Sequence, residues 1–144
     1  MSDNQYTAKC FCGQVPLEVS GTPIFQGFCR CDSCKSLLGA PVHAATLWPL
    51  DNVTIVKGEE KLATYKKTER SQRKHCTSCG GHVINAHSDE GFIDVLAPIL
   101  KDFPFKPTMH VHYGERILSM PDGLPKYKDV PAEFGGTGDL VEET

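Results

Sequence analysis

The residues of this chain best suited to chemistry are its seven cysteines, and every one of them falls in a close-spaced cluster. Cys10-Phe-Cys12 comes first, then Cys29-Arg-Cys31-Asp-Ser-Cys34, then Cys76-Thr-Ser-Cys79-Gly-Gly. These offsets let neighbouring thiolates face a single tetrahedral ion. Four thiolates close a structural zinc site, and three protein ligands with an open position hold a catalytic one. Seven therefore divides into two metals per chain with different jobs.

Other uses of cysteine explain less. Disulfides would leave one thiol unpaired, and Cys-x-Cys in an extended chain is too widely spaced to bond. The opening residues, Met-Ser-Asp-Asn-Gln-Tyr, carry no apolar signal segment, so a reducing, cytoplasmic setting is expected. A thioredoxin-like reading of Cys76-x-x-Cys79 accounts for two cysteines only and lacks a surrounding βαβ pattern. The strongest competitor is one four-cysteine site beside three ordinary buried cysteines.

Elements that must position these clusters are mostly strands. Val15-Pro-Leu-Glu-Val-Ser alternates in part and leads out of the first cluster; Val53-Thr-Ile-Val, Lys61 to Lys67, His82 to His87 and Phe92 to Ala97 read likewise. One short helical turn, Cys34-Lys-Ser-Leu-Leu-Gly, is closed by Gly39. At 144 residues a single domain is expected, over 6–131, with metal supplying part of its folding free energy. Residues 132–144, glycine-rich and then acidic, read as a loose C-terminal tail. A net charge of −3 gives no general attraction to nucleic acid or anionic membrane. Apolar runs are too short to span a bilayer.

Spacing alone leaves the pairing of clusters open. Cys31, Cys34, Cys76 and Cys79 would make a ribbon-like site and leave Cys10, Cys12 and Cys29; grouping the first and third clusters is simpler. Taken in order, the three clusters, a downstream His110 and Asp122-Gly-Leu-Pro-Lys-Tyr127 resemble the glutathione-dependent formaldehyde-activating enzyme (GFA) or CENP-V domain family, from Cys10 to about residue 131. That resemblance implies a mainly β fold, the zinc-stabilised β-tent of small antiparallel sheets. It implies a structural zinc on Cys10, Cys12, Cys76 and Cys79 and a catalytic zinc on Cys29, Cys31 and Cys34. It also implies a carbon–sulfur lyase of the 4.4.1 class, joining formaldehyde to glutathione or a related thiol. No nucleic-acid or membrane partner is expected.

This chain departs from the family pattern where Arg30 stands in place of a common His and where Lys35 replaces Arg. Arg30 is either a solvated surface cation or a contact for an anionic substrate. His110 is a candidate substrate contact or a satisfied structural histidine, sharing a face with His112 if Met109–Tyr113 is a strand. His75 reads as a bystander beside Cys76, and Lys66, Lys67, Arg70, Arg73 and Lys74 as a solvated edge. Phe25, Phe28 and Trp48 read as core. The alternative function is a non-catalytic, zinc-stabilised binding module. An exchange-factor or chaperone role, known in another branch of the β-tent fold, is disfavoured by the intact second triad.

Overall fold

The computed structural model describes residues 4–143; Met1–Asp3 and Thr144 lie outside the described residues. In chain order the strands are β1 (Gln5–Lys9), β2 (Pro16–Ser20), β3 (Phe25–Cys29), β4 (His43–Pro49), β5 (Val53–Ile55), β6 (Leu62–Thr68), β7 (Ser71–Cys76), β8 (His82–His87), β9 (Phe92–Leu96), β10 (Leu100–Lys101) and β11 (His110–Val111). One α-helix, α1 (Asp32–Leu38), lies between β3 and β4 in sequence. The mainly β class is as expected. No helix of the described residues is long and apolar enough to cross a membrane.

The chain forms two compact units. One is the chain up to Phe25 with Thr46–Pro104; the other is Gln26–Ala45 with the chain from Phe105 onward. In the first unit β10, β1, β2 and β5 form an antiparallel sheet in that order. Its register places Ala8 opposite both Leu17 and Leu100, and Leu17 opposite Ile55. In β2, Leu17 and Val19 point inward while Glu18 faces water, which is the period of a half-buried strand. A second antiparallel ladder runs β6, β7, β8, β9. β7 is polar throughout its middle and gave no strand signal; pairing on both sides holds it extended. Lys66, Lys67 and Arg70 are exposed, as the solvated-edge reading required, whereas Arg73 and Lys74 are half-buried on β7, which lies between β6 and β8 and is no edge.

Val15, Leu17, Val19, Trp48, Val83, Ile84 and Val95 form the core of this unit, and Cys10 and Cys76 belong to the same cluster. Trp48 satisfies its indole by donating to Thr46 Oγ1 at 2.8 Å, and the Thr46 hydroxyl donates to the Val95 carbonyl. Leu17 is completely buried. Its replacement by alanine should cost about 2–5 kcal/mol, read as a lowered urea midpoint by Trp48 fluorescence. A loss below about 1 kcal/mol would contradict the packing described.

The second unit pairs β3 with β11 in parallel, His110 beside Phe28 and Val111 beside Cys29. Residues 132–143 do not form the free tail expected. Lys128 N–H donates to Asp139 O and Val141 N–H to Lys126 O, both at 2.8 Å, and Tyr127 bridges to Leu140. Those amides need partners, and positive φ at Gly135 and Gly138 turns the chain back to supply them.

Candidate metal centres

Two cysteine-bearing turns build the first centre. After β1, Gly13 N–H closes a turn on Cys10 O at 3.0 Å, and Val15 N–H donates to Cys10 Sγ at 3.3 Å. At the end of β7, Gly80 N–H donates to Cys76 O at 2.7 Å, and Gly81 N–H reaches Cys79 Sγ at 3.4 Å. Gly81 permits the two turns to approach. A Cβ there would stand 3.1 Å from Phe11 Cβ, 3.2 Å from Phe11 N and 3.3 Å from Cys79 Sγ.

Cys10, Cys12, Cys76 and Cys79 thereby bring their sulfurs within 4.8 Å of one another. Cys10 and Cys12 are 3.6 Å apart, Cys12 and Cys76 3.8 Å. A tetrahedron with metal–sulfur bonds of about 2.3 Å has sulfur–sulfur edges of about 3.8 Å. Disulfide-bonded sulfurs would be about 2.05 Å apart, and all seven cysteines are free. The donor set fits zinc. The Gly81 N–H, above all, draws the Cys79 thiol down to about 6. Burial opposes ionisation of Cys10, but the Val15 N–H and the neighbouring thiols lower its pKa.

Cys29 ends β3, and Cys31 is the N-cap of α1, with its Sγ accepting from Cys34 N at 3.3 Å. A thiolate so placed does the work of a Ser or Asp cap. Gly39 stops the helix in the left-handed region, as its position in sequence suggested. The Cys29, Cys31 and Cys34 sulfurs lie within 4.8 Å of one another. Among the described residues no fourth His, Cys, Asp or Glu donor joins them at that spacing. Hydrogen bonds from Cys29 and then Cys34 hold the Cys31 thiol far below its usual value, while Cys31 and then Cys34 push Cys29 well up. Three thiols this close compete for one negative charge. A divalent cation lets all three ionise, so this set too fits a metal, with one side not filled by protein.

Arg30, between two of these cysteines, is neither solvated nor turned outward. It is completely buried. Its backbone N–H donates to Val111 O at 3.0 Å, and its Nη2 donates to Leu118 O. The guanidinium carbon lies 4.9 Å from the centre of the Tyr113 ring. Its Nη1 is 3.3 Å from His110 Nδ1, and His110 Nε2 is 2.8 Å from Asp122 Oδ2. A guanidinium only donates and a carboxylate only accepts. His110 must therefore be neutral, accepting at Nδ1 and donating from Nε2. Burial pushes its pKa down accordingly, with Asp122 opposing. Lys126, also buried, donates to Asp122 Oδ1 at 2.9 Å and to Leu124 O at 3.0 Å.

His110 is thus a satisfied buried histidine, the structural one of the two readings. The strand expected over Met109–Tyr113 ends at Val111, because His112 adopts φ +54°. His110 and His112 consequently do not share a strand face. Sequence reasoning missed Tyr113, Glu115 and the roles of Asp122 and Lys126; the Asp-Gly-Leu-Pro-Lys segment was the available signal.

Fold and donor sets together define a mainly β protein with two thiol clusters fitted to metal. Residues 5–115 match the family model for the glutathione-dependent formaldehyde-activating enzyme. This chain belongs to that family. A protein of Aspergillus flavus described as "putative glutathione-dependent formaldehyde-activating enzyme" is 28% identical over 105 residues, covering 72% of this chain and 49% of that protein. One of Podospora anserina with the same description is 29% identical over 79 residues, covering 54% and 37%. The chain thus spans about half the length, or less, of these curated relatives. A crystal structure of a Rhodobacter sphaeroides protein, 23% identical, shares the fold with a TM-score of 0.57, covering 67% of this chain and 89% of that one.

Proposed function

We propose that this chain is a zinc-dependent carbon–sulfur lyase acting on a thiol such as glutathione and an aldehyde such as formaldehyde. Cys10, Cys12, Cys76 and Cys79 would hold a structural zinc, and Cys29, Cys31 and Cys34 a catalytic one. The observation that carries the reading is the separate three-thiol cluster at the start of α1, with no fourth protein donor beside it among the described residues. Family membership and the relatives' descriptions support the choice of substrates. The reaction forms one S–C bond, moves the C=O π pair onto oxygen, and transfers the thiol proton to that oxygen. Zinc bound at the triad supplies a Lewis acid that favours thiolate over thiol and polarises a carbonyl or hydroxyl oxygen. The chain's own part is to fix three sulfurs on one short loop and helix turn.

Zinc per chain, counted in the native protein and in Cys31→Ser, tests this. Two zincs should fall to one with the fold retained, and formation of the hydroxymethyl adduct from glutathione and formaldehyde should fall at least 100-fold, as for loss of a group central to the chemistry. Full turnover by protein with one zinc would overturn the proposal. One zinc in both proteins after reloading would favour the binding-module reading.

A further inference from the structure

His112 is the one histidine of the second unit that the buried network leaves at the surface beside the triad. Because β3 and β11 run parallel, Cys29–Arg30–Cys31 and Val111–His112–Tyr113 leave the pair at the same end. The bond from Arg30 N–H to Val111 O fixes the two segments together at that point. His112 then breaks the strand with φ +54° and ψ +34°. Only one other non-glycine residue, Asp102, has positive φ among the described residues. Such backbone is strained for a side-chain-bearing residue, and strain of this kind collects where function requires a side chain at a fixed place.

A turn holds the strained residue. Glu115 N–H donates to His112 O at 3.0 Å, and His112 N–H donates to Asp129 O at 2.6 Å. Glu115 then bridges two elements with its carboxylate. Oε1 accepts from Asp32 N, the amide directly after Cys31, at 3.0 Å, and Oε2 lies 3.4 Å from His112 Nδ1. The imidazole is therefore tied to the N-terminus of the helix that carries Cys31 and Cys34. With Nδ1 turned to a carboxylate, Nε2 is the acceptor. The ring does not complete the thiol cluster as a further donor. It stands on a segment held beside the triad-bearing loop by the Arg30–Val111 and Asp32–Glu115 hydrogen bonds.

We propose that His112, oriented by Glu115, is a substrate-contacting residue whose Nε2 accepts a hydrogen bond from the hydroxyl of the thiol–aldehyde adduct. This rests on the lyase reading above. It moves the assignment from His110, whose nitrogens are both committed inside the protein, to the histidine that the sequence offered only as sharing its strand face. Glu115 is a positioning residue in this scheme.

The test compares the zinc-loaded wild type with His112→Gly and His112→Asn. Glycine relieves the positive φ, and asparagine tolerates it while keeping a shorter hydrogen-bonding group. Both should keep two zincs and a melting temperature equal to or above the wild type's. Both should lose at least 10-fold in kcat/KM for the glutathione–formaldehyde adduct, asparagine less than glycine. Glu115→Gln should lose less than His112→Gly. Imidazole NMR signals of the wild type, read on adding the glutathione–formaldehyde mixture, give a measure independent of turnover. The His112 ring should shift and the His110 ring should not. Variants that equal the wild type in kcat/KM, or a His112 signal that stays still while adduct binds, would overturn this assignment alone. A wild type that neither binds nor turns over the adduct would remove the lyase reading and this one with it.

Discussion

Serine at Cys76 should cost the first unit most of its stability, lowering its thermal transition by tens of degrees. Cys76 is completely buried and belongs at once to the four-thiol cluster fitted to metal and to the apolar core. Structural zinc in small domains supplies about 10–16 kcal/mol of apparent binding free energy, which is folding free energy where the site forms only on folding. Losing one of four thiolates forfeits several kcal/mol of that, and the substitution leaves a hydroxyl in the core in place of sulfur. At about 2–8 °C per kcal/mol for domains of this size range, the shift is far outside error. Trp48, the only tryptophan, packs in the same cluster, so its fluorescence follows this unit. Chelator added to the wild type should reproduce the loss, and the Trp48 transition of the Cys76→Ser protein should be insensitive to chelator. Cys31→Ser, in the other unit and in a cluster only partly buried, should leave the Trp48 transition within a few degrees of the wild type. A Cys76→Ser transition equally close to the wild type would sink the assignment of this cluster as a structural centre.

Local spacing made each cysteine cluster readable, but which clusters meet came from the family resemblance. Cys10-x-Cys12-Gly and Cys76-x-x-Cys79-Gly write their own turns, so the thiols that meet could be named from sequence together with the family resemblance. Gly39, the apolar alternation of β2 and the apolar runs of β8 and β9 were legible from their local residues. What stayed hidden depends on partners far along the chain. Arg30 looks like a surface cation beside Asp32 and Lys35. It is buried because β11, the Leu118 carbonyl and the Tyr113 ring cover it from roughly 80 residues away. No window around Cys31 contains that information. The end of the chain misled in the same manner. Its glycines and acids suggested a free tail, but Glu143 accepts a hydrogen bond from the buried Tyr113 hydroxyl and lies 3.6 Å from Arg116 Nη2. His112 was hidden differently, since alternation counted it onto a strand that its own backbone conformation ends.

That buried network sets the last expectation. Asp122→Ala should destabilise the second unit by about 2–3 kcal/mol, and Asp122→Asn by nearly as much. Breaking one side of a fully buried pair costs about 3–5 kcal/mol; the Asp122 side chain is 27% exposed, so water recovers part of it. Asparagine fails for a geometric reason. His110 Nε2 and Lys126 Nζ both donate to this carboxylate, and an amide offers one oxygen where two are needed. His110 cannot adapt by moving its proton, because Arg30 donates to its other nitrogen. The double variant Asp122→Asn with Lys126→Met should regain much of the loss, since it removes the buried ammonium that Asp122→Asn alone leaves without its carboxylate. The effect has a definite pH sign. Burial opposes Asp122's charge, but His110 and Lys126 outweigh it and hold the carboxyl far below the usual range. A depressed folded pKa adds stability that is complete above the unfolded value, about 3.9, and is lost as pH falls toward the folded one. The gap between wild type and Asp122→Asn should thus be full at neutral pH and should narrow below about pH 4. Protonation of the thiol clusters acts on both proteins alike and cancels in the difference. Urea unfolding followed by near-ultraviolet tyrosine signals, which include Tyr113, measures it. A gap that stays constant into acid would mean that the Asp122 charge does not hold Lys126 and His110 in place.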